Sequence, residues 1–165
     1  MSRTPSAAPT RVLMVCTGNI CRSPTAEAAL RRQVQAAGLA GRIEVDSAGT
    51  QGWHAGEAPD PRSVAHGARR GLDLAPLVAR QLCPADFDAF DVLLAMDRSH
   101  LQQMKAMAPA GSRARLSLLL TWAPALRRDE VPDPYYGGAA GFDEVIDLVE
   151  AGCAGWLAAW QAGRA

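Results

Sequence analysis

Short apolar runs alternate along the chain with longer segments in which apolar residues recur at helical spacing. RVLMVC at residues 11–16 and DVLLAM at residues 91–96 are apolar runs of a length that suits buried strands. Phe142, Val145 and Ile146 show the spacing of one helix face. The predicted strands are residues 11–16, 43–48, 91–96 and 116–120. The predicted helices are residues 25–35, 62–70, 98–107 and 142–160.

This alternation predicts an α/β fold in which helices cover both faces of a parallel sheet. The length of 165 residues suits a single domain. The first ten residues, MSRTPSAAPT, lack the apolar stretch of a signal peptide, so we expect a disordered tail at residues 1–10 and the domain at residues 11–162. Functional sites in such folds lie at the carboxyl ends of strands, where TGNICRS follows the first strand.

Composition and charge argue against several classes of protein and of site. Lys and Arg together number 17, as do Asp and Glu, so there is no basic field for nucleic acid over the whole chain. No segment reaches the roughly 18 apolar residues that a membrane span needs. Four cysteines are too few for a disulfide scaffold, which predicts a reducing cytoplasm. The sequence has no CxxC pair and no dense Cys/His cluster, and we expect neither metal nor cofactor.

The loop after the first strand has the chemistry of an anion site. Cys16 and Arg22 bracket five residues, and the following Ser23 and Pro24 suit the cap and first turn of a helix. Successive backbone N–H groups in such a loop form a nest for an anion, and the start of the helix adds partial positive charge. A guanidinium grips two phosphate oxygens, and the same surroundings favour the thiolate form of a cysteine. We therefore expect attack of a thiolate on a phosphoryl group and a phosphocysteine intermediate. The loop residues expected to bind substrate are Thr17, Gly18, Asn19, Ile20, Cys21 and Ser23.

A phosphatase also needs an acid, because a phenolate or alkoxide leaves poorly unless it is protonated. Asp133 lies between Pro132 and Pro134, which restrict the backbone and can aim its carboxyl group. Tyr135 and Tyr136 follow and suit the walls of a cleft for an aromatic substrate. From residue chemistry alone, a loop aspartate without a role is an equal alternative.

Four segments occur in the order VCTGNICRSPTAEA, DSAGT, AMDRSH and VPDPYYGG. With them the chain resembles the low-molecular-weight protein tyrosine phosphatase family from about residue 11 to residue 160. The resemblance implies a four-stranded parallel sheet flanked by helices. It also implies hydrolysis of phosphotyrosine without a metal.

The resemblance assigns roles residue by residue. Cys16 matches the family's nucleophile, Arg22 its phosphate-binding arginine and Asp133 its general acid. Residues that hold the loop and the thiolate by hydrogen bonds are matched by Asn19, Ser23 and Ser47. Cleft-wall positions are matched by Trp53, Tyr135 and Tyr136. Cys21 matches a second loop cysteine that can form a disulfide with the nucleophile on oxidation, which implies redox regulation.

One position departs from the family. Leu77 stands where many members have a histidine that supports the phosphate loop through its asparagine. The sequence does not assign that task to His66 or His100, since such residues are more often surface or core fillers. His54, beside Trp53, lies where the family varies.

Three alternative functions compete with this interpretation. A thioredoxin-coupled arsenate reductase shares the first motif but needs two further cysteines near the middle of the chain, where Cys83 stands alone. A phosphoprotein-binding module without catalysis predicts a missing nucleophile or acid, and neither is missing. A phosphatase of phosphoarginine or of small-molecule phosphates stays open, with Ile20 at the position that would tune this choice. The expected partners are phosphotyrosine proteins, with a bacterial tyrosine kinase as one candidate, and the expected state is a monomer or weak self-association.

Overall fold

The chain forms a four-stranded parallel sheet between two layers of helices. The structure is a computed structural model that describes residues 8–165. The strands are β1 (Thr10–Cys16), β2 (Ile43–Gly49), β3 (Val92–Ala95) and β4 (Arg115–Leu118), in the sheet order β2-β1-β3-β4. The helices are α1 (Arg22–Ala36), α2 (Pro61–Arg69), α3 (Asp86–Ala89), α4 (Arg98–Met107) and α5 (Ala139–Gln161). The predicted single-domain α/β fold is confirmed.

The pleat of β1 divides its side chains between two cores. Val12 and Met14 point into the core that α1 and α5 cover. Leu13 and Val15 point to the opposite face, where Phe87 and Met104 from α3 and α4 pack. All four β1 side chains are fully buried, as expected for a central strand of a sheet covered on both faces.

Element boundaries differ from the predictions where turns and caps compete with periodicity. The last predicted strand ends at Leu118, and the chain continues in the 3-10 turns Leu119–Trp122 and Pro124–Leu126. The sequence did not predict the one-turn helix α3. The prediction of Ser23 as the cap of the first helix is wrong, because α1 already begins at Arg22 and the cap position is Cys21.

The carboxyl ends of β1, β2 and β3 meet at one edge of the sheet. Gly49 is the partner of Cys16 in the parallel register, and the N–H of Thr50 donates to the carbonyl of Cys16 at 2.8 Å. Beyond β3, Met96 accepts from the N–H of Val131 at 2.8 Å. These bonds bring the segment that carries Asp133 to the same edge.

Two sequence expectations concern the ends and the surroundings of the chain. The predicted tail, residues 1–10, lies mostly outside the described residues, and β1 begins at Thr10. Within residues 8–165, none of the helices combines the length and the apolar character that a membrane crossing requires.

Candidate active site

The loop between β1 and α1 curls at the carboxyl edge of the sheet. Cys16 is the last residue of β1 and Arg22 the first of α1, so the five intervening residues form only bends. Asn19 has a φ of 59°, in the left-handed region that asparagine tolerates better than most residues. Gly49 lets the loop approach β2, since a Cβ there would lie 2.5 Å from the carbonyl oxygen of Thr17.

The sulfur of Cys16 lies against a hydroxyl group. Cys16 is 3% exposed, and its Sγ is 2.9 Å from Ser23 Oγ. Ser23 Oγ also accepts from Asn19 Nδ2 at 2.8 Å, and it lies 3.5 Å from the carbonyl oxygen of Ala48. The hydroxyl proton of Ser23 is therefore best placed to bond the sulfur.

A buried chain of hydrogen bonds supports the loop from below. Asn19 Nδ2 donates also to Ser47 Oγ at 2.9 Å, and Asn19 Oδ1 accepts from the N–H of Arg80 at 3.0 Å. Ser47 Oγ in turn donates to Glu27 Oε1 at 2.6 Å. Burial raises the pKa of Glu27, more than the bond from Ser47 lowers it. Leu77 packs against the apolar core, and the side chain of Asn19 is fully hydrogen-bonded without a histidine.

The guanidinium of Arg22 is buried and held from behind. Its Nη1 donates to Asp97 Oδ2 at 2.8 Å and to the carbonyl of Val131 at 3.0 Å. Its Nη2 lies toward the cleft, 3.4 Å from Thr17 Oγ1 and 3.9 Å from Asp133 Oδ2. Burial alone would raise the pKa of Asp97, but the hydrogen bonds that its carboxyl accepts from Ser99, from Arg22 and from the backbone N–H of His100 hold it below its usual value.

Asp133 stands at the open side of the cleft. Its side chain is about half exposed, and Oδ1 accepts from the N–H of Tyr135 at 3.0 Å. The rings of Tyr135 and Tyr136 meet edge to face with centroids 4.9 Å apart. The Arg62 guanidinium lies over the Tyr135 ring at 5.3 Å and steadies this wall.

Most of the residues expected from the sequence surround one cleft. Those that line it are Cys16, Thr17, Gly18, Ile20, Cys21, Arg22, Trp53, Asp133, Tyr135 and Tyr136, together with His54. Trp53 is 72% exposed and forms the rim. The remaining three, Asn19, Ser23 and Ser47, are buried behind the loop and do not line the cleft. Within residues 8–165 no group of three or more His, Cys, Asp or Glu residues is arranged to hold a metal ion.

Sequence reasoning missed several supporting groups. Asp97, His100 and Glu27 contact the loop or its arginine, and none of them was expected to. His100 is fully buried, and burial together with the charge of Arg22 lowers its pKa to about 4. The signal was present in AMDRSH, because Asp97 and His100 are three residues apart, the spacing of a capping box at a helix start.

Comparison with known proteins agrees with this geometry. The family model described as low molecular weight phosphotyrosine protein phosphatase matches residues 11–164. The low molecular weight protein-tyrosine-phosphatase of Streptomyces coelicolor is 48% identical over 152 residues, which is 90% of this chain and 92% of that protein.

Solved structures agree as well. The protein tyrosine phosphatase of Entamoeba histolytica superposes with a TM-score of 0.91 at 34% identity, over 94% of this chain and 99% of that one. The Drosophila arginine phosphatase DARP superposes with a TM-score of 0.86 at 32% identity, over 91% and 97%. The predicted family is thus confirmed, and the chain belongs to the low molecular weight phosphotyrosine protein phosphatases, a family of enzymes.

Proposed function

We propose that the chain hydrolyses phosphotyrosine in proteins, with Cys16 as nucleophile, Arg22 as phosphate clamp and Asp133 as general acid. The observation that carries this proposal is that the three side chains share one cleft, with the Cys16 sulfur at its floor and the Asp133 carboxyl at its open side. Arg22 Nη2 lies between them, within reach of both the loop and the acid.

In the first step the Cys16 thiolate attacks phosphorus and forms a P–S bond. The P–O bond to the tyrosine breaks, and Asp133 gives its proton to the departing phenolate oxygen. In the second step a water molecule attacks the phosphocysteine, Asp133 takes its proton, and the P–S bond breaks to release phosphate and the thiolate. The hydroxyl of Ser23, 2.9 Å from the sulfur, stabilises the thiolate at the start and end of this cycle.

The positive groups of the cleft can stabilise the negative charge of the phosphoryl group without a metal ion. Arg22 and the start of α1 compensate the charge of the phosphoryl oxygens, and the bond that Arg22 donates to Asp97 fixes the guanidinium plane. Metal-independent catalysis therefore forms part of the proposal.

The cleft walls favour an aromatic ester. Trp53, Tyr135 and Tyr136 offer aromatic faces, and Ile20 adds an apolar side chain from the loop itself. Phosphoarginine is the competing substrate, since DARP shares the fold and is an arginine phosphatase by its name. Ile20 presents an apolar side chain in the loop, where a guanidinium leaving group would need a hydrogen-bond acceptor, and this supports phosphotyrosine.

The proposal extends to the cellular compartment, the partner and the oligomeric state of the enzyme. Cys16, Cys21, Cys83 and Cys153 are all free, which supports a reducing, cytoplasmic setting in which the nucleophile stays active. A bacterial tyrosine kinase that carries phosphotyrosine is the candidate partner, and the chain acts as a monomer or with weak self-association.

Turnover of p-nitrophenyl phosphate beside phosphotyrosine, phosphoserine and phosphoarginine peptides tests the proposal. We expect phosphotyrosine to be the best peptide, and EDTA to leave the rate unchanged. The Cys16→Ser variant should lose turnover yet still bind inorganic phosphate in calorimetry, because Arg22 and the loop N–H groups remain. Residual activity above about 5% of the wild-type rate would exclude Cys16 as nucleophile, since a lost nucleophile costs many orders of magnitude.

A further inference from the structure

His100 lies behind the cleft in the first turn of α4 and bonds the phosphate-binding loop. The ring atom Nδ1 of His100 accepts from the backbone N–H of Asp97 at 3.2 Å. The backbone N–H of His100 donates to Asp97 Oδ1, also at 3.2 Å. Asp97 Oδ1 is also 3.3 Å from Nδ1, but this oxygen already accepts from Ser99 Oγ at 2.5 Å and from the His100 N–H. Because Nδ1 is an acceptor and the ring is neutral, the ring hydrogen is on Nε2.

The far side of the ring faces the loop. His100 Nε2 is 2.7 Å from Thr17 Oγ1, so its hydrogen is donated to the threonine hydroxyl. Arg22 Nη2, at 3.4 Å, is a second donor to the same oxygen. With two N–H donors aimed at its lone pairs, the Thr17 hydroxyl must send its own hydrogen elsewhere. Thr17 lines the cleft beside Cys16 and Arg22, and the cleft is the open direction.

We propose that His100 is a positioning residue that turns the Thr17 hydroxyl into a fixed hydrogen-bond donor to an oxygen of the phosphoryl group. The inference rests on the proposed function, and it adds one side-chain donor to the backbone N–H groups and the guanidinium of the site. The neutral ring also suits its place, because Arg22 Nη2 is only 3.5 Å from His100 Nε2 and a second positive charge there would repel it.

Two substitutions of His100 separate positioning from a merely structural role. In His100→Asn the shorter side chain keeps an acceptor for the Asp97 N–H but no longer reaches Thr17. In His100→Gln the amide N–H takes the place of Nε2, and the amide oxygen can accept from the Asp97 N–H, since glutamine at this helix position completes a capping box. A merely structural role predicts that the two variants keep similar kcat/KM values, because both keep an acceptor for the Asp97 N–H. Positioning predicts instead that kcat/KM falls much further in the Asn variant than in the Gln variant, while the two variants unfold at similar temperatures.

Thr17 supplies the second arm. Thr17→Val removes the hydroxyl at constant shape, and we expect kcat/KM for p-nitrophenyl phosphate to fall about tenfold to hundredfold, the range for a lost hydrogen bond to a charged group. The inhibition constant of inorganic phosphate should rise in parallel. Thr17→Ser keeps the hydroxyl and should stay within about threefold of the wild type, which is little in free energy.

The double-mutant cycle decides the case. If His100 acts through Thr17, His100→Asn lowers kcat/KM in the wild type by about as much as Thr17→Val does, and by less than about twofold in the Thr17→Val variant. His66→Asn is the matched control, because His66 is another buried histidine, paired with Asp143 at 2.8 Å and absent from the cleft. This variant should keep the wild-type kcat/KM.

The outcomes separate the two proposals. Additive effects in the cycle, or an Asn variant as active as the Gln variant, would overturn the role of His100 while turnover by the wild type continues. Loss of the proposed function shows differently: the wild type would fail to hydrolyse phosphomonoesters, or Cys16→Ser would retain turnover. The affinity of each variant for inorganic phosphate, measured by calorimetry, tests the role of Thr17 in either case, because it does not depend on turnover.

Discussion

Asp133 is the residue whose proposed role depends most on the substrate. Its carboxyl is half exposed and 3.9 Å from Arg22 Nη2, at the open side of the cleft where a leaving group must depart. We expect Asp133→Asn to lower kcat by about 10²- to 10⁴-fold, the usual range for a lost general acid. The loss should be smaller for p-nitrophenyl phosphate than for phenyl phosphate, because p-nitrophenolate needs less protonation.

A neighbouring carboxylate supplies the control for this prediction. Asp129 lies in the same segment, paired with Arg98 and partly exposed, and it does not line the cleft. Asp129→Asn should leave kcat within about twofold, as surface substitutions usually do. Equal losses for the two phenyl esters in Asp133→Asn would assign Asp133 another role.

The second residue-scale prediction concerns oxidation of Cys16 by peroxide. The first product is a sulfenic acid, which a neighbouring thiol can capture as a disulfide. Cys21 lines the same cleft. We expect peroxide to inactivate the enzyme reversibly, thiols to restore it and bound phosphate to protect it.

Burial sets how fast Cys21 reacts. It raises the pKa of Cys21 to about 12, so little thiolate is present at neutral pH. The rate of disulfide formation should therefore rise about tenfold per pH unit between pH 7 and 9, since only the thiolate attacks. Cys21→Ser should keep basal activity but recover less after peroxide, whereas Cys83→Ser, which removes an exposed thiol, should recover like the wild type. A peptide map that pairs Cys16 with Cys83 would refute the pairing.

At the scale of elements, the end of β2 is what shapes the loop. Gly49 pairs with Cys16, and a Cβ on it would lie 2.5 Å from Thr17 O and 3.0 Å from Asn19 N. Both neighbours are backbone atoms and cannot turn aside. Gly49→Ala must therefore push the loop away from the sheet. We expect kcat/KM to fall at least tenfold and the free energy of unfolding to fall by about 1–3 kcal/mol, the usual cost of overpacking.

Gly41 provides the comparison for this change. It lies in the turn before β2, and a Cβ on it meets nothing within 4 Å. Gly41→Ala should leave kcat/KM unchanged and the free energy of unfolding within about 0.5 kcal/mol of the wild type, as for other surface substitutions. Wild-type activity in Gly49→Ala would show that the loop can form at a larger distance from β2.

For the whole molecule, His100 links the stability of the fold to pH. Its pKa is about 4 in the folded chain, lowered by burial and then by Arg22, against 6.5 when it is exposed. Between these values the unfolded chain binds more protons, so stability falls as the pH falls from 6.5 to 4. The loss amounts to about 3 kcal/mol over this window. Urea unfolding at a series of pH values measures it, and His100→Asn should remove this part of the slope.

Three carboxyl groups affect the stability of the fold at lower pH than His100 does. The pKa values of Asp60, Asp97 and Asp143 are lowered by their hydrogen bonds and charged neighbours. Their contributions are present above the usual carboxyl range and are lost as the pH falls through values below 3.8. His66→Asn keeps His100 and should keep the slope between pH 6.5 and 4. An unchanged slope in His100→Asn would show that another group titrates there.

The sequence by itself determined the framework of this protein. Strands and helices follow from local periodicity, and the parallel sheet follows from their alternation, because each pattern is set by residues close in the chain. Cys16 and Arg22 were also predictable from local sequence, because they bracket a five-residue loop between a predicted strand and a predicted helix. The DPYY segment pointed to Asp133 through its resemblance to a family motif.

Only the tertiary structure decided what surrounds these residues. Arg22 is held by Asp97 and by the carbonyl of Val131, 75 and 109 residues away along the chain, and His100 bonds Thr17 across 83 residues. No periodicity encodes such contacts, because they depend on how the ends of β1 and β3 lie side by side in the folded sheet.

Burial explains why single residues were misjudged. Ser23 has the chemistry of a helix cap, but its hydroxyl is buried beside the Cys16 sulfur and bonds inward. Leu77 occupies the position where the family resemblance predicts a histidine, yet Asn19 is held by Ser47 and by the backbone N–H of Arg80. A buried polar group takes whichever partner the fold brings to it, because leaving it unpaired is costly, and the identity of that partner is fixed only when distant segments meet.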